Sequence, residues 1–137
     1  MSIISGDFKV KIYYEDTDFS GYVYHANYFK FLERARSELF GIEFIKKLYS
    51  EEKSHFVLAK LDSKFIKPAV FGDEIIIKTE VEYRLGSPLV LCKQQCLSNC
   101  DKIMTANVTL CLVGIEGRPQ NITDNIIQKF NYKGLLK

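Results

Sequence analysis

The sequence has 137 residues, 47% hydrophobic and 26% charged, with a formal net charge of +2. That length fits one domain able to bury most of the surface its unfolded chain exposes, and the composition is ordinary for a globular protein. Lys and Arg are scattered along the chain, which argues against a nucleic-acid footprint, since that needs a basic stripe or patch.

The opening MSIISGDFKVKI lacks a basic region followed by an apolar core, so no secretory leader is expected. The apolar runs are too short to cross a bilayer as helices. A cytoplasmic protein without a transmembrane segment is the expectation. Over residues 8–14, Phe8, Val10, Ile12 and Tyr14 alternate with Lys9 and Lys11, which predicts a first strand with one buried face. Ser20-Gly21 reads as a turn. Beyond it, Tyr28, Phe31, Leu32, Ala35, Leu39 and Ile42 recur every three to four residues, the stripe of an amphipathic helix of about four turns. Gly41 either ends that helix or weakens it, and residues 43–49 suit a short second helical turn.

The period then changes to two. Residues 56–67 read as a long strand ended by Pro68, with a loop over 68–73. Ile75, Ile77, Thr79, Val81 and Tyr83 alternate with charged residues, which predicts the next strand. Further strands follow over 89–97 and 102–113, the latter with Met104, Ala106, Val108, Leu110 and Leu112 on one face. The turns lie at Gly86-Ser87-Pro88 and at residues 98–101. A short terminal helix over 122–130 places Ile126, Ile127 and Phe130 on one side. In the strand over 89–98, Cys92 and Cys96 share a face, as half-buried thiols would. With Cys100 and Cys111 the count is four. A chain of this size does not need staples, so reduced thiols are expected. The pattern is not CxxC, and only His25 and His55 offer imidazole, so neither a metal nor a cofactor is expected.

The element order is thus β-α-β-β-β-β in a single α+β domain over residues 1–137, a curved antiparallel five-stranded sheet wrapped around one central helix, with the strands after the helix running as a meander. The helix stripe needs a partner surface, which the sheet supplies. Two sheet edges remain, and pairing with a second copy would protect them. A homo-oligomer, dimer or tetramer, is expected.

The chemistry concentrates in residues 14–36, YEDTDFSGYVYHANYFKFLERAR, where a strand hands over to a helix. Asp16-x-Asp18-x-Ser20-Gly21 begins like a calcium loop, but Asn27 stands where a bidentate Glu belongs and a strand precedes it. Acyl chemistry fits better. A carboxylate attacks a carbonyl or takes a proton from water, and a helix N-terminus supplies N–H donors for the oxyanion. There is no GxSxG elbow, no Cys-His nucleophile pair and no phosphate-binding glycine loop.

This stretch closely resembles the YbgC/4-hydroxybenzoyl-CoA thioesterase family of hotdog-fold proteins. The family's pattern runs Tyr-x-Asp-Thr-Asp, a gap, Gly-x-Val-Tyr-His, then Tyr and Glu-x-Ala-Arg, and every element is present. The resemblance continues weakly through FIKPAVFGDEIIIKTEV and RLGSPLVLCKQ, within residues 8–115. It implies the hotdog fold and hydrolysis of acyl-CoA thioesters without metal or bound cofactor. It implies that Asp18 is the catalytic carboxylate, as nucleophile or general base, and that His25 offers its backbone N–H to the carbonyl. Tyr14, Gly21, Tyr24 and Tyr28 match positions that shape the substrate pocket. Glu33 and Arg36 match helix positions suited to an ion pair or an interface. Phe19 and Ser20 fill a gap where related members carry small residues, and the bulk of Phe19 there bears on acyl-chain size. Lys64 and Lys67 are candidates for CoA phosphates. Two alternatives stay open: a hotdog dehydratase acting on acyl carrier protein, and a non-catalytic binder of acyl-CoA or a protein partner.

Overall fold

A computed structural model describes residues 2–131. Its elements are β1 (Ser2–Lys11), α1 (His25–Phe40), α2 (Ile42–Glu52), β2 (His55–Phe65), β3 (Glu74–Tyr83), β4 (Leu89–Ser98), β5 (Asp101–Val113) and α3 (Asp124–Asn131). The five strands form one antiparallel sheet in the order β1-β3-β4-β5-β2. α1 buries Tyr28, Phe31, Leu32, Ala35 and Phe40. They join a core with the inner faces of the sheet, among them Ile75, Ile77, Val81, Met104 and Val108. This is the α+β hotdog arrangement, a sheet packed on a central helix.

The two-residue period placed the strands well because burial on one face fixes which side chains point inward. In β5, Met104, Ala106, Val108, Leu110 and Leu112 are all buried. Between α1 and the sheet sits a polar knot. The Gln94 amide donates to the Leu32 carbonyl and to Thr79 Oγ1, each at 3.0 Å, while Arg36 Nη1 donates to Gln94 Oε1 at 3.0 Å. Gln94 and Thr79 are buried, and a buried amide with its donors satisfied costs little while fixing how the helix sits on the sheet. Cys92 and Cys96 are buried and free, and burial pushes their thiols up to about 11 and about 12.

Four expectations need correction. β1 starts at Ser2, because Gly6 does not turn the chain. Gly6 pairs with Thr79, and a Cβ there would meet Leu39 Cδ1 at 2.9 Å, so the glycine admits the helix side chain against the strand. The strand also stops at Lys11, and Tyr14 lies 81% exposed in a 3-10 turn instead of continuing the buried face. Gly41, with φ +95°, separates α1 from a full second helix, and Ile42 beyond it is exposed. That conformation is one only glycine holds cheaply. Finally, the strands after the helix are not one continuous meander. β3, β4 and β5 run as neighbours, but β2 pairs with β5 at the far edge while β3 pairs with β1. The 66–73 segment carries the chain back across the sheet, where Gly72 N–H donates to the Ile12 carbonyl at 2.9 Å and Ile12 N–H to the Asp73 carbonyl at 2.8 Å.

α3 packs on α2 through Phe44 and Phe130, edge-on at 5.1 Å between ring centres. Lys129 pairs with Glu51 and Glu52, and Asn125 Nδ2 donates to Glu52 Oε2 at 2.9 Å. As expected, Ile126 and Phe130 are buried and Ile127 packs against the core. Among the described residues no helix is long and apolar enough to cross a membrane.

Candidate active site

Thr17 to Val23 forms a tight hairpin closed by a bridge between its two ends. Asp18 N–H donates to the Tyr22 carbonyl at 2.9 Å, and Gly21 N–H to the Asp18 carbonyl at 3.0 Å. Gly21 has φ +87°, and a Cβ there would meet nothing within 4 Å. The glycine therefore serves the turn itself rather than a close approach of backbone. The hairpin is tied down on two sides. Val23 N–H donates to the Ala69 carbonyl at 2.9 Å, and the Asp16 carbonyl accepts from Tyr24 N–H at 2.9 Å and from Asn27 Nδ2 at 3.0 Å. Asn27 sits in the first turn of α1, so the acidic loop and the helix start form one rigid unit.

Asp18 and His25 line the same cavity, of about 300 Å³, whose apolar walls include Val23, Tyr28, Phe65 and Ile66. Asp18 Oδ1 accepts two hydrogen bonds from Ser20, from its hydroxyl at 2.5 Å and its N–H at 2.8 Å. The Ser20 hydroxyl, then the Ser20 N–H, and more weakly the charge of His25 hold the exposed Asp18 carboxyl below the usual carboxylate range. At the head of α1 the cap residue Tyr24 makes no side-chain capping bond. The N–H groups of His25 and Ala26 have no partner among the described residues. Unpaired donors and the helix dipole there favour negative charge. A carboxylate that shares a partly apolar cavity with the first residue of such a helix can attack a carbonyl, or activate water, with N–H donors of the helix start available to the developing oxyanion.

The other expected site residues divide. Tyr28 lines the cavity and is buried; its hydroxyl faces the Ala69 backbone without reaching hydrogen-bond geometry, and burial raises its pKa. Tyr24 packs its ring edge-on to His25 at 4.7 Å, and Tyr14 packs edge-on to Phe71 at 6.5 Å, outside the cavity. Arg36 bonds Gln94, while Glu33 accepts from Ser37 Oγ, so each helix charge has a partner other than the other. Lys67 lines the cavity and pairs with Asp101 at 3.5 Å, whereas Lys64 is not part of its lining. Sequence reasoning gave no site role to Ser20, although Asp-x-Ser at a turn is a known pattern for a side chain bonding backbone two residues on. Within the walls from Phe65 to Pro68 the sequence offers Lys67 as a phosphate candidate and the start of the weaker family resemblance, but nothing in it joins them to Asp18, since they come from another part of the chain.

A thioesterase superfamily model matches residues 20–90. The acyl-CoA thioester hydrolase YbgC of Escherichia coli O6:H1 is 32% identical over 123 residues, which cover 88% of this chain and 92% of that protein. Among solved structures, a probable thioesterase from Bartonella henselae is 33% identical, with a TM-score of 0.77 over 86% of this chain and 98% of its own. The 4-hydroxybenzoyl-CoA thioesterase of Pseudomonas sp. strain CBS-3 is 18% identical, with a TM-score of 0.81 over 92% and 99% of the two chains. At that identity the likeness speaks for the fold alone.

Proposed function

The chain belongs to the thioesterase superfamily and is a thioester hydrolase, and we propose that it cleaves acyl-CoA to the free carboxylic acid and CoA with Asp18 as the reacting carboxylate. The observation that carries this reading is the meeting, in one cavity, of an ionised carboxylate and the uncapped start of a helix. The thioester carbonyl oxygen sits against the N–H groups of His25 and Ala26, which polarise it and then hold the oxyanion. Asp18 Oδ2 attacks the carbonyl carbon, or takes a proton from a water that attacks it. The tetrahedral species collapses and the CoA thiolate leaves. In the first route water then hydrolyses the anhydride; in the second the acid is released directly. In a single turnover in water labelled with heavy oxygen, label found in Asp18 establishes the nucleophilic route with water attacking the Asp18 carboxyl carbon, whereas water attacking the acyl carbon leaves the label in the product acid on either route.

Tyr28, Val23, Phe65 and Ile66 form the walls that exclude water and take apolar parts of the ester. Tyr24 acts through His25, on which it packs, and Gly21 through the hairpin. Lys67 at the cavity rim is placed to exchange Asp101 for a CoA phosphate. We further propose a homo-oligomer that pairs through the exposed β2 edge.

Thiol release from a panel of short, long and aromatic acyl-CoA esters, wild type beside Asp18→Asn, tests the reaction. Turnover drops by a factor of about a thousand or more in the variant with the fold intact, on the scale of losing a principal catalytic group. An Asp18→Asn enzyme as fast as wild type would sink the mechanism.

A further inference from the structure

The hairpin that carries Asp18 also carries a side chain whose polar contacts are spent on that carboxylate. Ser20 Oγ donates to Asp18 Oδ1 at 2.5 Å, the Ser20 N–H donates to the same oxygen at 2.8 Å, and Ser20 Oγ in turn accepts from Tyr22 N–H at 3.2 Å. Both donors converge on Oδ1, so Oδ2 has no hydrogen-bond partner among the described residues. The bond from Tyr22 fixes which way the hydroxyl points, because a hydroxyl that accepts along one direction donates along another. An exposed carboxylate on a turn otherwise samples several rotamers, with little packing to choose among them. Ser20 itself lines the reaction cavity beside Asp18.

We propose that Ser20 is a positioning residue for the hydrolysis: its hydroxyl clamps Asp18 Oδ1 and thereby turns Oδ2 toward the carbonyl or the attacking water. The proposal rests on Asp18 being the reacting carboxylate. Ser20 touches neither the ester nor the leaving thiolate; it acts through Asp18. Holding one oxygen in place is worth much in such a reaction, since small misplacements of a reacting atom cost large factors in rate.

The clamp also gives the reaction a pH signature. The groups that face Asp18 across the cavity are His25 from the head of α1, Lys67 from the segment after β2, and the phenols Tyr22 and Tyr28. Of these, His25 adds a lesser lowering to the one that Ser20 supplies. A carboxylate held below its ordinary range stays ionised further into acid. The rate therefore falls only as the pH drops through that lowered value. Removing the hydroxyl returns Asp18 toward the ordinary carboxylate range, so the acid limb of the profile moves to higher pH.

The experiment is a pH profile of kcat/KM for wild type, Ser20→Ala, Ser20→Thr and Asp18→Asn. Ser20→Ala deletes the hydroxyl and keeps the backbone N–H. It should lower kcat roughly tenfold, as for loss of one hydrogen bond to a charged group, with KM little changed and the acid limb raised. Ser20→Thr keeps a hydroxyl at the same atom and should restore both the rate and the limb. If Ser20→Ala matches wild type in rate and limb while Asp18→Asn is inactive, the clamp has no role and the proposal fails with the mechanism intact. A slower Ser20→Ala whose limb has not moved, or a defect that Thr does not rescue, points to general loop damage and also overturns it. An active Asp18→Asn would bring down the underlying reading instead.

Discussion

A carboxylate on an open hairpin gains nothing from burial, so its behaviour is set by the groups that bond to it, and the same is true of the donors opposite. The first residue of α1 is His25, and two features of that residue compete for the functional role: the imidazole and the backbone N–H. The proposed mechanism uses the N–H. Proline separates the two, since it is well tolerated as the first residue of a helix and removes only a donor the helix does not use. The preceding Tyr24 already has φ −63° and ψ 127°, the extended conformation a following proline favours. His25→Ala should keep activity within about tenfold of wild type, because the N–H stays and only a weak charge effect is lost. His25→Pro should fold normally by circular dichroism and lose about 3 kcal/mol of transition-state stabilisation, on the order of a hundredfold in kcat. Equal losses in both variants would assign the role to the ring.

At the scale of elements, the turn between β4 and β5 holds an unspent reserve of stability. Ser98 pairs with Asp101, leaving the two-residue loop Asn99-Cys100, with φ +50° and +70°. Both residues sit in the left-handed region, as a type I′ hairpin requires, and Asn-Gly is the pair that adopts it most readily. Cys100 is exposed, carries a Cβ into that region, and forms no disulfide. Cys100→Gly should stabilise the protein by about 0.5 kcal/mol after allowing for the added freedom of the unfolded chain. Urea unfolding read as a rise in the midpoint at constant slope would confirm it, and a fall would show that the side chain makes a contact worth more than the strain. The strands on either side were legible because burial imposes a strict two-residue period, and α1 because its stripe is continuous from Tyr28 to Ala35. The order of strands was not, since nothing in the residues of β2 states that β5, rather than β3, will be its neighbour. The site splits the same way. Asp18, Gly21 and His25 are close in sequence and readable together as candidates, while Phe65 and Ile66 reach the cavity by the fold, and Lys67, a candidate from its charge, is joined to Asp18 only there.

For the molecule as a whole, the two sheet edges are unlike. β1 turns Ile4 and Val10 into the core, as a strand covered on one face should. β2 has eleven residues and none is fully buried, although the strand is hydrogen-bonded to β5 along its length. Val57, Leu58 and Phe65 are each more than a third exposed, and Ile66 follows at 45%. Phe56 and Leu61 pack against the core, and a strand that leaves its other apolar side chains this exposed is a poor solvent-facing edge and a good pairing edge. Phe65 and Ile66 also line the Asp18 cavity, so a second copy across β2 would close one wall of the site as it covers the edge. Two-fold symmetry then places two equivalent sites along a single interface. Sedimentation velocity should give a dimer or a multiple of it for the wild type. Leu58→Glu replaces an apolar group of the exposed β2 strand with a charge, which an interface there would have to desolvate. It should shift the protein toward monomer at micromolar concentration and lower thioester turnover at least tenfold with it, because the site loses a wall. A monomeric wild type with full activity would place the complete site in one chain, and the exposed edge of β2 would then need another occupant.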